Sequence, residues 1–121
     1  MPRDPRALLA DALDAARSIE RFRRGLDLDG FRADELVRAA VERKLEIVGE
    51  ALNRLSREEP ELAGRVPDIT RIVAFRNVLA HGYEIVDDEV VWDAITSDLP
   101  ELTMVVEALL AALDAGGPGQ G

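Results

Sequence analysis

A chain of 121 residues, 47% apolar and 32% charged, is long enough for one hydrophobic core and too apolar to be disordered. Its formal charge of −9 argues against a broad nucleic-acid-binding surface, because acidic surfaces repel phosphates unless basic residues are gathered locally. The absence of cysteine excludes disulfides and thiolate zinc sites, and a single histidine disfavours a transition-metal centre, so the expectation is a mechanism with no metal and no cofactor.

No stretch approaches the length of a membrane span, and the start Met1-Pro2-Arg3-Asp4-Pro5 lacks the apolar core of a signal peptide, which predicts a cytoplasmic protein. Leu8, Ala12, Ala15, Ile19 and Phe22 mark one face of a first helix ending near Arg24-Gly25. Its tail carries Arg17, Arg21, Arg23 and Arg24, either as a cationic last turn that complements the helix dipole or as part of a phosphate-binding rim. Leu26 to Gly30 reads as a loop, and a long helix follows from Phe31 or Ala33 to Ser56. Its apolar stripe (Leu36, Val37, Ala40, Val41, Leu45 and onward to Leu55) is too wide for a coiled-coil seam, so it serves several neighbours. Gly49, in mid-helix, implies the close approach of another backbone.

Pro60, Gly64 and Pro67 break the charged stretch from Arg57 into a loop with one short turn. Asp68 then caps a helix that carries Ile69, Ile72, Val73, Phe75 and Leu79 and that Gly82 terminates. Phe75 reads as packing rather than as a base-stacking platform. Glu84-Ile85-Val86 is an extended link, and Asp87 caps a helix with Val90, Val91, Trp92 and Ile95. At Asp98-Leu99-Pro100-Glu101 that helix kinks, or stops and restarts, before continuing to about Asp114. The sum is an all-α, up-down bundle of four to five helices over residues 1–115, with a disordered Gly/Pro-rich tail over 116–121.

The chemistry is concentrated in Phe75-Arg76-Asn77-Val78-Leu79-Ala80-His81-Gly82-Tyr83, which contains the only histidine and the only tyrosine. An imidazole in a final helical turn feels the negative end of the dipole, and its intrinsic pKa lies near neutrality. An arginine beside it offers a permanently charged fork suited to phosphate oxygens. Five residues of ideal helix rotate by roughly 500°, which leaves Arg76 and His81 about 140° apart. Either the helix end unwinds at Gly82 or the same segment of a second copy completes the site across a two-fold axis, and the second is preferred. The plainer alternatives are a histidine that caps the last carbonyls, an arginine in an ordinary ion pair and a tyrosine whose amphipathic ring closes the helix end.

Three stretches together, Ala40-Val41-Glu42-Arg43-Lys44-Leu45-Glu46-Ile47-Val48-Gly49-Glu50-Ala51, the Phe75–Tyr83 segment, and Val90-Val91-Trp92 with Asp98-Leu99-Pro100-Glu101-Leu102, give the chain its resemblance. It resembles the HepT-like ribonucleases of the HEPN superfamily, the toxin half of HepT/MntA-type toxin-antitoxin modules. The resemblance spans about residues 5 to 113. It implies a HEPN-like helical homodimer and a metal-independent endoribonuclease of a type VII-like system, acting on RNA such as tRNA or mRNA. In that reading Arg76 and His81 are the catalytic pair, Asn77 is the supporting polar residue, and Tyr83 is the residue that a cognate MntA-like nucleotidyltransferase antitoxin AMPylates. The alternative is a non-catalytic helical dimer that binds RNA or nucleotide, or regulates a partner nucleotidyltransferase.

Overall fold

The computed structural model describes residues 4–81 and 87–116, with the backbone alone for 77–81 and 116. Helix α1 (Pro5–Arg23) starts where a cap predicts it: the Asp4 carboxylate accepts the Arg6 N–H at 2.9 Å, and Pro5 needs no donor partner in the first turn. Leu8, Leu9, Ala12, Leu13, Ala15, Ala16 and Ile19 form its buried face, and Gly25, at φ +80, turns the chain after it.

The predicted loop over Leu26 to Gly30 is instead the entry to a short helix, α2 (Leu28–Ala33). Asp27 accepts the Gly30 N–H at 2.8 Å, so the Asp and Gly residues read as turn chemistry serve as a helix cap. Phe31 is buried in this turn, its ring centroid 5.3 Å from that of Trp92, and that contact holds so short a helix in place.

Asp34 ends α2 and caps α3 (Glu35–Glu58), with its carboxylate accepting the Val37 N–H at 3.0 Å. The long helix therefore begins two to four residues later than the sequence suggested. Its apolar stripe also begins later: Val41, Leu45, Val48, Ala51, Leu52 and Leu55 are buried, whereas Leu36 is 80% exposed. Position 36 lies about 140° around the helix from position 41, on the outer side.

After the short α4 (Pro60–Ala63) comes α5 (Ile69–His81), the helix that carries the motif. Asp68 precedes it at φ +58, and its carbonyl accepts the Ile72 N–H at 3.0 Å. Asp87 caps α6 (Asp88–Asp93) as predicted, accepting the Glu89 N–H at 2.9 Å. The helix neither stops nor restarts beyond it. It widens into a π-helical segment, Ala94–Asp98, in which Leu99 N–H donates to the Ala94 carbonyl, and runs on as α7 (Leu99–Gly116). Pro100 has no N–H to give and its ring would press on the carbonyl four residues back, so a wider turn accommodates it without breaking the helix.

The long elements run up and down. Leu8 of α1 faces Ala51 of α3; Arg17 pairs with Glu107 of α7 while Arg23 stands beside Leu99 and Pro100 at its start, so α1 and α7 are antiparallel. Ile69 and Val73 of α5 stand beside Ser56 and Asn53 of α3, whereas Arg76 stands beside Gly49, so α3 and α5 are antiparallel as well. Among the described residues there is no strand, and no helix is long and apolar enough to cross a membrane. The predicted all-α, HEPN-like bundle is the observed fold. Gly82, Tyr83, the link Glu84-Ile85-Val86 and the tail beyond Gly116 lie outside the described residues.

Candidate active site on α5

The position of Arg76 is set by what α3 lacks. A Cβ placed on Gly49 would lie 2.3 Å from the Cβ of Arg76 and 3.1 Å from the Ile72 carbonyl oxygen. Those contacts are far inside van der Waals range, so only glycine lets the two backbones meet there. The close packing that Gly49 implied is therefore with the motif arginine itself. Ile72 is buried one turn earlier, and Phe75 packs against the core as expected, so α5 enters the bundle through the face that holds Ile69, Ile72 and Arg76.

Arg76 is half-buried. Asn77 and His81 follow in the last turns of α5 as backbone positions, and Tyr83 lies outside the described residues. The structure thus places Arg76, Asn77 and His81 on one helix, with Arg76 turned to α3. Thr70, Ala74, Asn77 and His81 share a different face by their four-three-four spacing. Thr70 and Ala74 are exposed there, and α5 packs chiefly on α3.

Two braces hold the surroundings of the motif. Arg71 of α5 reaches Asp98 of the π segment, with Nη1 3.2 Å from Oδ2. Arg32 lies 3.4 Å from Glu89 and Arg38 4.0 Å from Asp88, and these pairs tie the start of α6 to α2 and α3. Glu42 stands seven residues before Gly49, on the same face of α3. Burial, and then the nearby charge of Asp88, push its carboxyl above the usual range, and Arg38 opposes the shift. The sequence reading passed over Glu42 as a separate feature, although its heptad spacing from Gly49 was there to be read.

Two of the arginines toward the end of α1, Arg17 and Arg21, have side-chain partners. Arg17 bonds Glu107, and Arg21 donates to Ser18 Oγ at 3.1 Å. Arg23 stands beside Glu20, Pro100 and Thr103. Arg17 thus joins α1 to α7, and Arg21 folds back on its own helix.

The sequence profile of the family described as "Ribonuclease HepT-like" matches residues 12–109. The chain belongs to this family. "Putative RNase MJ1380" of Methanocaldococcus jannaschii is 33% identical over 105 residues, covering 87% of this chain and 95% of that protein. "Probable ribonuclease HepT" of Thermococcus cleftensis is 32% identical over 109 residues, covering 90% and 98%. "Putative RNase TTE0752" of Caldanaerobacter subterraneus subsp. tengcongensis is 31% identical over 106 residues, covering 88% and 94%. No solved structure matches at a significant level. The family match contains the whole segment from Gly49 through His81, so the close contact of α3 with the motif arginine lies inside the region that defines the family.

Proposed function

We propose that the protein is a metal-independent endoribonuclease, the toxin of a type VII-like toxin-antitoxin pair, with Arg76 and His81 as its catalytic residues. The observation that carries this reading is the approach of Arg76 to Gly49, which spends a costly mid-helix glycine on holding the motif arginine while the face bearing positions 77 and 81 is left to another partner. A second copy of the chain is that partner, and its α5 meets the first across a two-fold axis, supplying the histidine that one straight helix turns away from its own arginine.

In the closed cleft the ribose 2′-hydroxyl attacks the adjacent phosphorus and gives its proton to the His81 imidazole. The bond from phosphorus to the 5′-oxygen breaks, a protonated imidazole returns a proton to that oxygen, and the products are a 2′,3′-cyclic phosphate and a 5′-hydroxyl. Arg76 stabilises the charge that develops on the phosphoryl oxygens, and Asn77 orients the phosphate. DNA lacks the attacking hydroxyl and is not cut. A nucleotidyltransferase antitoxin AMPylates Tyr83, which puts phosphate charge and bulk beside Arg76 and blocks the cleft.

The deciding experiment is cleavage of single-stranded RNA and total tRNA in excess EDTA by the unmodified protein, beside His81→Ala and Arg76→Ala. Cutting by the parent and by neither variant is expected. An inactive parent whose Tyr83 is unmodified by mass spectrometry would overturn the reading in favour of a helical dimer that binds RNA or nucleotide without cutting, or that regulates a partner nucleotidyltransferase. For the antitoxin step, Tyr83→Phe should cut RNA yet escape neutralisation.

A further inference from the structure

One helical turn from the contact of Gly49 with Arg76, α3 and α5 part to leave an open cavity of about 190 Å³, lined by Asn53, Ser56, Ile69, Thr70 and Val73. All five residues are uncharged, in a chain of which 32% is charged. Ile69 and Val73 are half-buried and supply an apolar floor. Asn53 brings an amide with both donors and an acceptor, and Ser56 and Thr70 bring hydroxyls that serve in either sense. Thr70 also sits on the face of α5 that carries positions 77 and 81, so the cavity opens toward the same side as the motif. Along the helix axis, Val73 is only about 4.5 Å from Arg76, and Thr70 about 10 Å from Asn77.

We propose that this cavity is a base-binding subsite, which takes the nucleobase next to the scissile phosphate and gives the enzyme its nucleotide preference, with Asn53 reading the base edge. The inference rests on the ribonuclease reading of α5. An apolar floor with neutral hydrogen-bonding groups fits a splayed, unstacked base, which offers a flat apolar face and an edge of donors and acceptors. It does not fit a phosphate, which would meet no cation there, and a charged peptide would find no counter-ion. The subsite also addresses how an acidic protein holds RNA: Arg76 supplies the cationic phosphate contact, and a neutral pocket that does not repel the chain adds to it.

The test combines two readouts on the purified protein. Nucleoside 3′-monophosphates of the four bases are titrated while the Asn53 side-chain amide and the Val73 methyls are followed by nuclear magnetic resonance, and cut ends from random-sequence RNA are sequenced for the parent, Asn53→Ala and the isosteric Asn53→Asp. The expected result is that one monophosphate shifts these signals most and that the same base is preferred at the cut. That preference should fall by about tenfold in Asn53→Ala, the scale of a lost base-edge hydrogen-bond pair. Asn53→Asp keeps the shape but removes the amide donors, and should move the preference to a different base. Signals that shift for a protein that does not cut RNA would keep the subsite and remove the ribonuclease reading. A parent that cuts with the same nucleotide bias as both variants would remove the subsite and keep the ribonuclease, as would variants that change only the oligomeric state. No shift and no cutting would remove both.

Discussion

At Gly49 two residue-level effects oppose each other. Replacing glycine by alanine inside a helix ordinarily stabilises by up to about 1 kcal/mol. Here the added carbon would meet the Arg76 Cβ at 2.3 Å and the Ile72 carbonyl at 3.1 Å, atoms of the backbone or one bond from it that cannot swing aside. Overpacking of this kind typically costs about 1–3 kcal/mol, so the clash wins. Gly49→Ala should lower stability in urea unfolding, and because the strain is relieved by moving α5, it should lower RNA cleavage more than it lowers stability. Glu42 supplies a second prediction. A carboxyl whose folded pKa is raised above its unfolded value favours the folded state least when ionised, so its penalty is absent at low pH and grows as pH rises through the unfolded and then the folded pKa. Glu42→Gln should therefore raise the melting temperature at pH 7 by a few degrees at most, with the gain shrinking below about pH 5 and gone by about pH 3, where the carboxyl is protonated in both states. A gain that persisted at low pH would point to packing instead.

Among the elements, the region from 26 to 35 shows how closely turn and helix signals overlap. Asp27 and Asp34 each place a carboxylate on an N–H three residues ahead, so two caps in succession cut the apolar pattern into α2 and α3. Asp34→Ala should cost about 1 kcal/mol in thermal or urea unfolding, and Asp34→Ser should recover most of it, because serine offers the same acceptor. The π segment rests on the same kind of accounting. Pro100 withholds a donor from a helix whose neighbours Ile95, Leu99 and Leu102 are buried, and a wider turn keeps all three in the core. Arg71 of α5 forms an ion pair with Asp98, so the irregular segment also meets the motif helix on the side away from Gly49.

For the whole molecule the outer face of α5 matters, where Ala74 is exposed between the cavity at Thr70 and motif position 77. If a second copy covers it, Ala74→Arg should weaken self-association in analytical ultracentrifugation and lower cleavage, while monomer stability stays within about 0.5 kcal/mol, as for other surface changes. A composite site also predicts complementation. Mixing inactive Arg76→Ala with inactive His81→Ala should restore a fraction of the parental cleavage, because the mixed dimer keeps one intact arginine facing one intact histidine. Inactivity of the mixture, with subunit exchange verified, would place both residues in a single chain's site.

The sequence by itself determined the helical class, the order of the long helices, most caps and the motif, because these are local quantities: apolar spacing, cap residues and the rarity of histidine and tyrosine. It also determined that Gly49 lies against another backbone, since little else explains a glycine in mid-helix. Only the tertiary structure decided that the backbone is that of Arg76, that Leu36 stays outside the stripe, that Pro100 widens a helix rather than ending it, and that Asn53, Ser56 and Thr70 line one cavity. Each of those depends on which helix packs against which and at what register, and distances between residues far apart in sequence carry no local signal in one chain.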